Sequence, residues 1–519
     1  MSRHTRGSPA TRRGSTEDRP RSDLVAPLRL PPPTDNAGKA GGVGGQRSCE
    51  PSFDDKEAAG GRQADMSATG AAAVAGEAPL SLNQEFVSQF DMGSADGPFG
   101  SRYHVVAAWR VTGAPINVDA LGDALLDVVA RHEALRTRIA GPAGHRYQEI
   151  LPPSPVRLDV RDGQAASGET RDEQIETLLQ GIETETIGAD ETPSLRAVLA
   201  RFDDQDAVLA LMTHHLGADA LSLGVIIRDL ANRYAARTGH SVPDLPPAPQ
   251  YREFAGWQRE GAGAGTDAAR DYWRRKLDGA QFTAIPTDFP RSAGLPESTG
   301  KHRFLIARDV VSAVERLAAT SQTTSFVTLA AMYQLLVHRL TGATDIVIAT
   351  FTAGRGGDLF QETVGACINF MPLRTDIAGC KSYGEVLERT RQTCLEAFSH
   401  EVPAIQVFGQ APELMRPAMT DNATAMVFQS VPDPKQLVEA PGDLKYVRIT
   451  RRLSSQSLAS ALPDGALLDL NEDPSGDAIG VVSYKRNLFR EDTIASMTAE
   501  LRRIAHDFAF DPDASPGLT

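Results

Sequence analysis

Residues Asp206 to Asp219 read DAVLALMTHHLGAD and carry the sharpest local pattern in the chain. The near-continuous apolar run that opens this stretch is typical of a strand buried on both faces. Two adjacent histidines, His214 and His215, end the run and lead into a short turn that reaches Asp219. Because successive strand side chains point to opposite faces, we expect the two rings to lie in different environments.

Histidine is the side chain whose unperturbed pKa suits proton transfer near neutral pH. One ring can therefore face a cleft while the other packs behind it, and Asp219 can orient the turn or hold one tautomer. The alternative is a pair of structural histidines beside a turn aspartate. No third Cys or His lies nearby at ligand spacing, so the sequence predicts no metal site.

Strand and helix patterns alternate from about residue 78 onward. A strand fits Tyr103–Val111, and a helix begins after Asn117, a plausible N-cap, with Leu121 and Leu125 on its apolar face. The Pro-rich stretch 243–249 reads as a linker. The simplest division is therefore two α/β halves, residues 76–250 and 251–519.

Residues 1–75 differ from the rest of the chain in composition. They are rich in Gly, Ala, Ser, Pro and Arg, and Phe53 is their only aromatic residue. Such a segment buries too little apolar surface to offset its ordering entropy, so we expect a disordered N-terminal extension. Met66 is an alternative start of the protein.

Composition narrows the classes of function. The 519 residues include 53 Lys and Arg against 67 Asp and Glu, a net charge of −14, which disfavours nucleic acid and anionic membranes as partners. No apolar stretch is long enough to span a membrane. The four cysteines form no CxxC pair and no evident disulfide framework, so we expect a cytoplasmic protein.

Further motifs occur in a fixed order before and after the paired histidines. They read LSLNQEF at Leu80–Phe86, RHEALRT at Arg131–Thr137, YREFAGWQ at Tyr251–Gln258, IPTDFPR at Ile285–Arg291, FTAGRGG at Phe351–Gly357, VGACINFMPLR at Val364–Arg374 and SYKRNLFREDTI at Ser483–Ile494. Together with HHxxxD, this series resembles the condensation-domain superfamily. That superfamily includes the peptide-bond-forming domains of nonribosomal peptide synthetases and free-standing acyltransferases.

The resemblance implies a mixed α/β (α+β) fold of two chloramphenicol-acetyltransferase-like lobes, arranged as a V-shaped pseudo-dimer. It implies an acyltransferase of natural-product and antibiotic biosynthesis. The donor would be an acyl thioester on the phosphopantetheine arm of a carrier protein, and the acceptor a small amine or alcohol. The product would be an amide or an ester, and the protein itself would bind no cofactor and no metal.

The resemblance also implies roles for individual residues. His215 would deprotonate or orient the nucleophile, while His214 would pack behind the site. Asp219 would be structural and paired with Arg355 from the second lobe, since a buried aspartate needs such a partner. Residues that would support the active-site wall are Arg131, Arg136 and Asn369.

Two departures from the family pattern matter. Ala220 stands where Gly is usual, and its methyl group would narrow the acceptor channel or shift a backbone N–H. No adenylation segment or carrier attachment site is evident, which implies a free-standing enzyme whose donor arrives in trans. Two alternatives stay open. One is a catalytically silent domain that recruits a partner protein, and the other is an acyltransferase that uses coenzyme A.

Overall fold

The computed structural model describes residues 76–518, except residues 92, 163–168, 261–264, 431–436 and 439–440. The predicted disordered extension, residues 1–75, lies outside the described residues. Two six-stranded sheets organise the described part, as the mixed α/β prediction requires. None of the helices described is long and apolar enough to cross a membrane.

The helices are α1 (Leu82–Ser88), α2 (Val118–Arg131), α3 (Arg171–Glu183), α4 (Ala220–Arg237), α5 (Tyr251–Arg259), α6 (Asp267–Lys276), α7 (Arg308–Thr320), α8 (Ser325–Thr341), α9 (Tyr383–Ser399), α10 (Ala404–Gln410) and α11 (Glu491–Phe510). The strands are β1 (Gly76–Pro79), β2 (His104–Thr112), β3 (Thr137–Ala140), β4 (Tyr147–Ile150), β5 (Arg157–Asp162), β6 (Leu195–Asp203), β7 (Asp206–His214), β8 (Ile285–Pro286), β9 (Thr299–Ile306), β10 (Asp345–Thr352), β11 (Asn369–Asp376), β12 (Ala423–Thr424), β13 (Met426–Gln429), β14 (Leu437–Val438), β15 (Lys445–Arg448), β16 (Ala466–Glu472) and β17 (Ala478–Lys485).

The first sheet has the strand order β14-β15-β2-β7-β6-β5. One face packs against α2 and α4, and the other packs against α3. The Asn117 side chain accepts a hydrogen bond from the backbone N–H of Ala120, 3.0 Å away, so the predicted N-cap is confirmed. Leu121 and Leu125 are fully buried beneath α2, also as predicted.

The second sheet has the strand order β11-β10-β13-β16-β17-β9. Helices α7, α8, α9 and α11 share its main core, in which Phe428 and Leu468 are buried to 1% exposure or less. On the opposite face, α1 and α10 cover the β11 end through Phe86, Phe370 and Phe408, whose rings lie 5.1–5.9 Å apart. Along β16 and β9 that face includes the polar residues Asp469, Lys301 and Arg303.

The chain does not divide at residue 250 as simply as the sequence suggests. Strand β15 joins the first sheet, with Tyr446 opposite Val111, although it lies in the second half of the chain. Helix α5 packs Tyr251 and Phe254 into the first core. The sequence pattern over about 251–276 predicts one helix, whereas the structure has two separate helices there, α5 and α6.

Candidate active site

Asp219 ends the turn after β7 and caps α4. Its carboxylate oxygen Oδ1 accepts hydrogen bonds from the backbone N–H and the hydroxyl of Ser222, both at 2.8 Å. Arg355 donates two further bonds, from Nη2 to Oδ1 at 2.7 Å and from Nη1 to Oδ2 at 3.0 Å. Asp219 is fully buried and Arg355 is 2% exposed. The predicted pair between the two halves of the chain is therefore confirmed.

The surroundings of Asp219 favour its ionised form. The backbone N–H of Cys367 donates to Asp219 Oδ2 at 3.1 Å. Burial alone would raise the pKa of Asp219, but attraction to Arg355 and the hydrogen bonds from Ser222 outweigh it and hold the pKa below its usual value. The turn is thus fixed by one buried ion pair and its hydrogen bonds.

His214 packs inside the protein, as the alternation of strand side chains predicted. It is 1% exposed, and its Nδ1 accepts a hydrogen bond from the backbone N–H of Leu216 at 3.2 Å. Its Nε2–H donates to the carbonyl of Gly100 at 3.1 Å. Burial lowers the pKa of His214 to about 4, so the ring is neutral and held in one tautomer.

His215 is the more accessible of the two histidines. Its side chain is partly exposed, and its ring stacks on the ring of Tyr103 with centroids 4.9 Å apart. The backbone N–H of His215 donates to the carbonyl of Tyr103 at 2.9 Å. Burial lowers the pKa of His215, which leaves a neutral imidazole able to accept a proton at neutral pH.

Ala220, which replaces the usual Gly, is the first residue of α4 and is exposed. Its neighbour Ala218 is completely buried. The extra methyl group therefore lies at the surface beside the His215 turn, and the structure accommodates it without strain in the core.

The supporting residues hold the elements around the turn. Arg131 donates from Nε to Asp229 of α4 at 2.7 Å, and His132 Nε2 lies 2.9 Å from the same carboxylate. Arg136 donates to the carbonyl of Leu151 at 2.6 Å. These contacts join α2 to α4 and fix the segment after α2, and none of them involves His215.

Asn369 begins β11 and anchors the loop before α10. Its Nδ2 donates to the side chain of Glu401 at 3.0 Å and to the carbonyl of Val402 at 2.9 Å. Its Oδ1 accepts from the backbone N–H of Ala404 at 2.9 Å. Both N–H groups and the carbonyl of this buried amide are thus engaged, so Asn369 positions the strand end next to the turn.

Sequence reasoning missed how the first motif reaches the turn from His214 to Asp219. Gln84 Nε2 donates to the carbonyl of Leu216 at 3.0 Å, and Asn83 Nδ2 donates to the carbonyl of Cys367 at 2.8 Å. The hydroxyls of Ser81 and Tyr251 lie 2.7 Å apart. The motif containing Ser81, Asn83 and Gln84 was identified, but the partners of these side chains are distant in sequence and follow no local pattern.

His104 was also missed. It lies directly opposite His214 in the pairing of β2 with β7 and is 3% exposed. Neither ring nitrogen makes a hydrogen bond within the described residues. Burial lowers its pKa to about 4, and the nearby Lys301 ammonium adds to that effect. The described residues contain no group of His, Cys, Asp and Glu side chains that could hold a metal ion.

Comparison with known proteins agrees with this geometry. The condensation-domain family model matches residues 74–516. The solved structure of SgcC5 from Streptomyces globisporus, a complex with (R)-(-)-1-(2-naphthyl)-1,2-ethanediol and sucrose, is 44% identical with a TM-score of 0.81. That match covers 84% of this chain and all of SgcC5. The X-domain of teicoplanin biosynthesis, solved in complex with OxyB, has a TM-score of 0.65 at 23% identity over 85% of this chain and 95% of its own, and shows the fold alone.

Curated relatives are large synthetases. Phosphinothricin tripeptide synthetase PhsC of Streptomyces viridochromogenes is 30% identical over 84% of this chain and 40% of its own length. Chondramide synthase cmdD of Chondromyces crocatus is 29% identical over 78% of this chain but only 10% of its own length. The chain thus spans one segment of these synthetases, and it belongs to the condensation-domain family.

Proposed function

We propose that this protein is a condensation-type acyltransferase that moves an acyl group from a carrier-bound phosphopantetheine thioester to a hydroxyl or amine acceptor. The observation that carries the proposal is the intact turn from His214 to Asp219. There the partly exposed, neutral His215 stands beside a fully buried Asp219–Arg355 pair. A general base of this kind contributes roughly 10²–10⁴-fold to the rate.

The proposed reaction has one bond exchange. The acceptor oxygen or nitrogen attacks the thioester carbonyl, its proton passes to the His215 imidazole, and the phosphopantetheine sulfur leaves and takes up a proton. Asp219 contacts neither substrate and keeps the turn in place through Arg355 and Ser222. His214 supports the turn from behind, because both of its ring nitrogens are engaged with backbone groups.

A hydroxyl acceptor, and hence ester formation, is the favoured form of the proposal. The 44% identical SgcC5 structure holds an aryl ethanediol, which carries two hydroxyls and no amine. The opposing recruitment hypothesis rests on the X-domain, which resembles this chain in fold at 23% identity. The intact His215 turn supports the acyltransferase over the recruitment hypothesis.

The test is acyl transfer from a loaded carrier protein, and separately from the acyl coenzyme A, to 1-(2-naphthyl)-1,2-ethanediol and to the matching amino alcohol. His215→Ala should lower the turnover by about 10²-fold or more and change the melting temperature little. His145→Ala, which alters an exposed histidine, is the matched control and should behave as the wild type. Turnover by His215→Ala at the wild-type rate would contradict the proposal. Carrier binding without any transfer would favour recruitment instead.

A further inference from the structure

Asp469 is a carboxylate in the middle of the second sheet that the proposed mechanism does not use. It lies on β16, opposite Gln429 of β13 and Val481 of β17. Its strand neighbours Leu468 and Leu470 point into the helix-covered core. Since strand side chains alternate, Asp469 points to the other face of the sheet, where it is partly exposed.

The first lobe approaches this face on both sides of Asp469. Beyond the end of β10, Arg355 binds Asp219 of the first lobe. On β9, Lys301 and Arg303 each approach the carboxylate of Glu183 at the end of α3, at 3.3 Å. Because β16 lies between β10 and β9 in the strand order, Asp469 faces the first lobe between these two contacts.

The carboxylate is incompletely satisfied. Asp469 Oδ1 is buried and makes no hydrogen bond within the described residues. Its polar neighbours are the amide side chains of Gln429 and Asn471, and the Lys301 ammonium acts on it electrostatically. Burial nevertheless raises the pKa of Asp469. Buried polar groups almost always have a partner, so a donor from outside the chain, on a ligand or a water molecule, would stabilise this oxygen.

Asp469 shares its face of the second sheet with Arg303, because Asp469 lies opposite Val481 and Val481 lies opposite Arg303. Lys301 acts electrostatically on Asp469 and also on His104. His104 in turn lies directly opposite His214 on the first sheet. Asp469 therefore belongs to the polar lining of the space between the two sheets, on the second lobe's side.

We infer that Asp469 is a substrate-recognition residue whose Oδ1 accepts a hydrogen bond from an O–H or N–H group that is not the nucleophile. The inference rests on the proposed acyl transfer and names a residue that selects its substrates. The donor group has two sources: the second hydroxyl of the acceptor, or an amino group on the acyl donor. Sites built to bind such a group discriminate strongly against analogues that lack it.

The experiment compares wild-type protein with Asp469→Leu and the conservative Asp469→Asn. The acceptor pair is 1-(2-naphthyl)-1,2-ethanediol and 2-(2-naphthyl)ethanol, and the donor pair is an aminoacyl carrier and its deamino analogue. Asp469→Leu should lower kcat/KM by about 10- to 100-fold for the member of one pair that carries the extra group. The analogue without that group should change by less than about 3-fold, and Asp469→Asn should recover part of the loss.

The affected pair identifies the source of the hydrogen bond. Glu472→Gln, on the same strand, is the matched control and should keep the wild-type preference. Equal kcat/KM for wild type and Asp469→Leu on all four substrates, or an equal loss on all four, would overturn the inference.

A binding measurement separates this inference from the acyl-transfer proposal. Calorimetric titration with each acceptor, and with each donor carrier, needs no turnover. If the wild type transfers nothing, the acyl-transfer proposal fails. In that case an affinity of Asp469→Leu for one substrate that is about 10- to 100-fold weaker than that of the wild type would support the role of Asp469. Unchanged affinities for all substrates would overturn it.

Discussion

Two buried acidic residues, Asp219 and Glu183, join the lobes, and they differ in the number of their cationic partners. Within the described residues, Asp219 has a single cationic partner, Arg355, bound through two hydrogen bonds of 2.7 and 3.0 Å. Glu183 has three, since Arg452 donates to it at 2.6 Å while Lys301 and Arg303 lie at 3.3 Å, and Gln456 adds a neutral donor at 2.6 Å. The Asp219 contact thus depends on one cation, whereas the Glu183 contact is shared among three.

This difference in partner number indicates which of the two contacts tolerates the loss of a partner. Removing one partner of a buried pair leaves an uncompensated charge, which is costly. Arg355 has no other carboxylate partner in the described part of the chain, whereas Arg452 also binds Glu176 at 3.0 Å. The turn from His214 to Asp219 therefore depends on one ion pair. The Glu183 contact has several partners, so it can lose one of them and keep the others.

The largest loss of stability is expected for substitution of Asp219. Asp219→Ala leaves the buried Arg355 guanidinium without its counter-charge and removes the cap of α4. The free energy of unfolding should fall by about 3–5 kcal/mol. Urea denaturation measures this change.

Two variants check the cause of that loss. Asp206→Ala, at the other end of β7, breaks the more exposed pairs with Arg110 and Arg171 and should cost about 1 kcal/mol or less. Adding Arg355→Met to Asp219→Ala should recover part of the lost stability. A loss of the same size in Asp206→Ala would mean that burial of the pair is not the cause.

A smaller loss of stability is expected for substitution of Glu183. Glu183→Gln removes the charge shared by Lys301, Arg303 and Arg452 but keeps the shape of the side chain. Because Arg452 retains Glu176 and Arg303 retains the carbonyl of Ser454, the loss should be about 2–3 kcal/mol, less than for Asp219→Ala. The same urea series measures it, and a loss larger than that of Asp219→Ala would reverse the comparison.

The smallest of these effects concerns pH. The pKa of His104 is lowered to about 4, whereas an unfolded histidine titrates near 6.5. The unfolded state thus binds more protons between these values, so stability falls as the pH drops from about 6.5 toward 4. His104 should account for a loss of about 2 kcal/mol between pH 7 and pH 5.

His104→Leu should therefore flatten the pH dependence of the unfolding free energy by about that amount. Val106→Ala, on the same face of β2, should lower stability equally at both pH values and serves as the control. An unchanged pH dependence in His104→Leu would show that burial beside Lys301 does not keep this ring neutral.

Much of the fold follows from local sequence patterns. The extent predicted for β7 and the start predicted for α2 agree with the structure within one or two residues, because apolar periodicity and caps are local signals. The Asp219–Arg355 pair was anticipated from the family motifs, which place both residues in named segments.

Other features depend on contacts that no local pattern encodes. Nothing in the sequence of β15 indicates that it joins the first sheet, since its partner β2 lies more than 300 residues earlier. Likewise, Asp469 interrupts the apolar start of β16, and its significance depends on which strands flank β16. The environment of His104 follows from pairing with His214 and from Lys301 in the other half of the chain.

The β15 crossing makes the two halves of the chain inseparable. A protein cut after residue 250 would lose β15 from its first half, and β2 would become an open edge with unpaired backbone N–H and C=O groups. The same cut would remove α5, and with it Tyr251 and Phe254, from the first core. Unprotected edges promote intermolecular strand pairing, so each half alone is an aggregation-prone fragment rather than a transferable module.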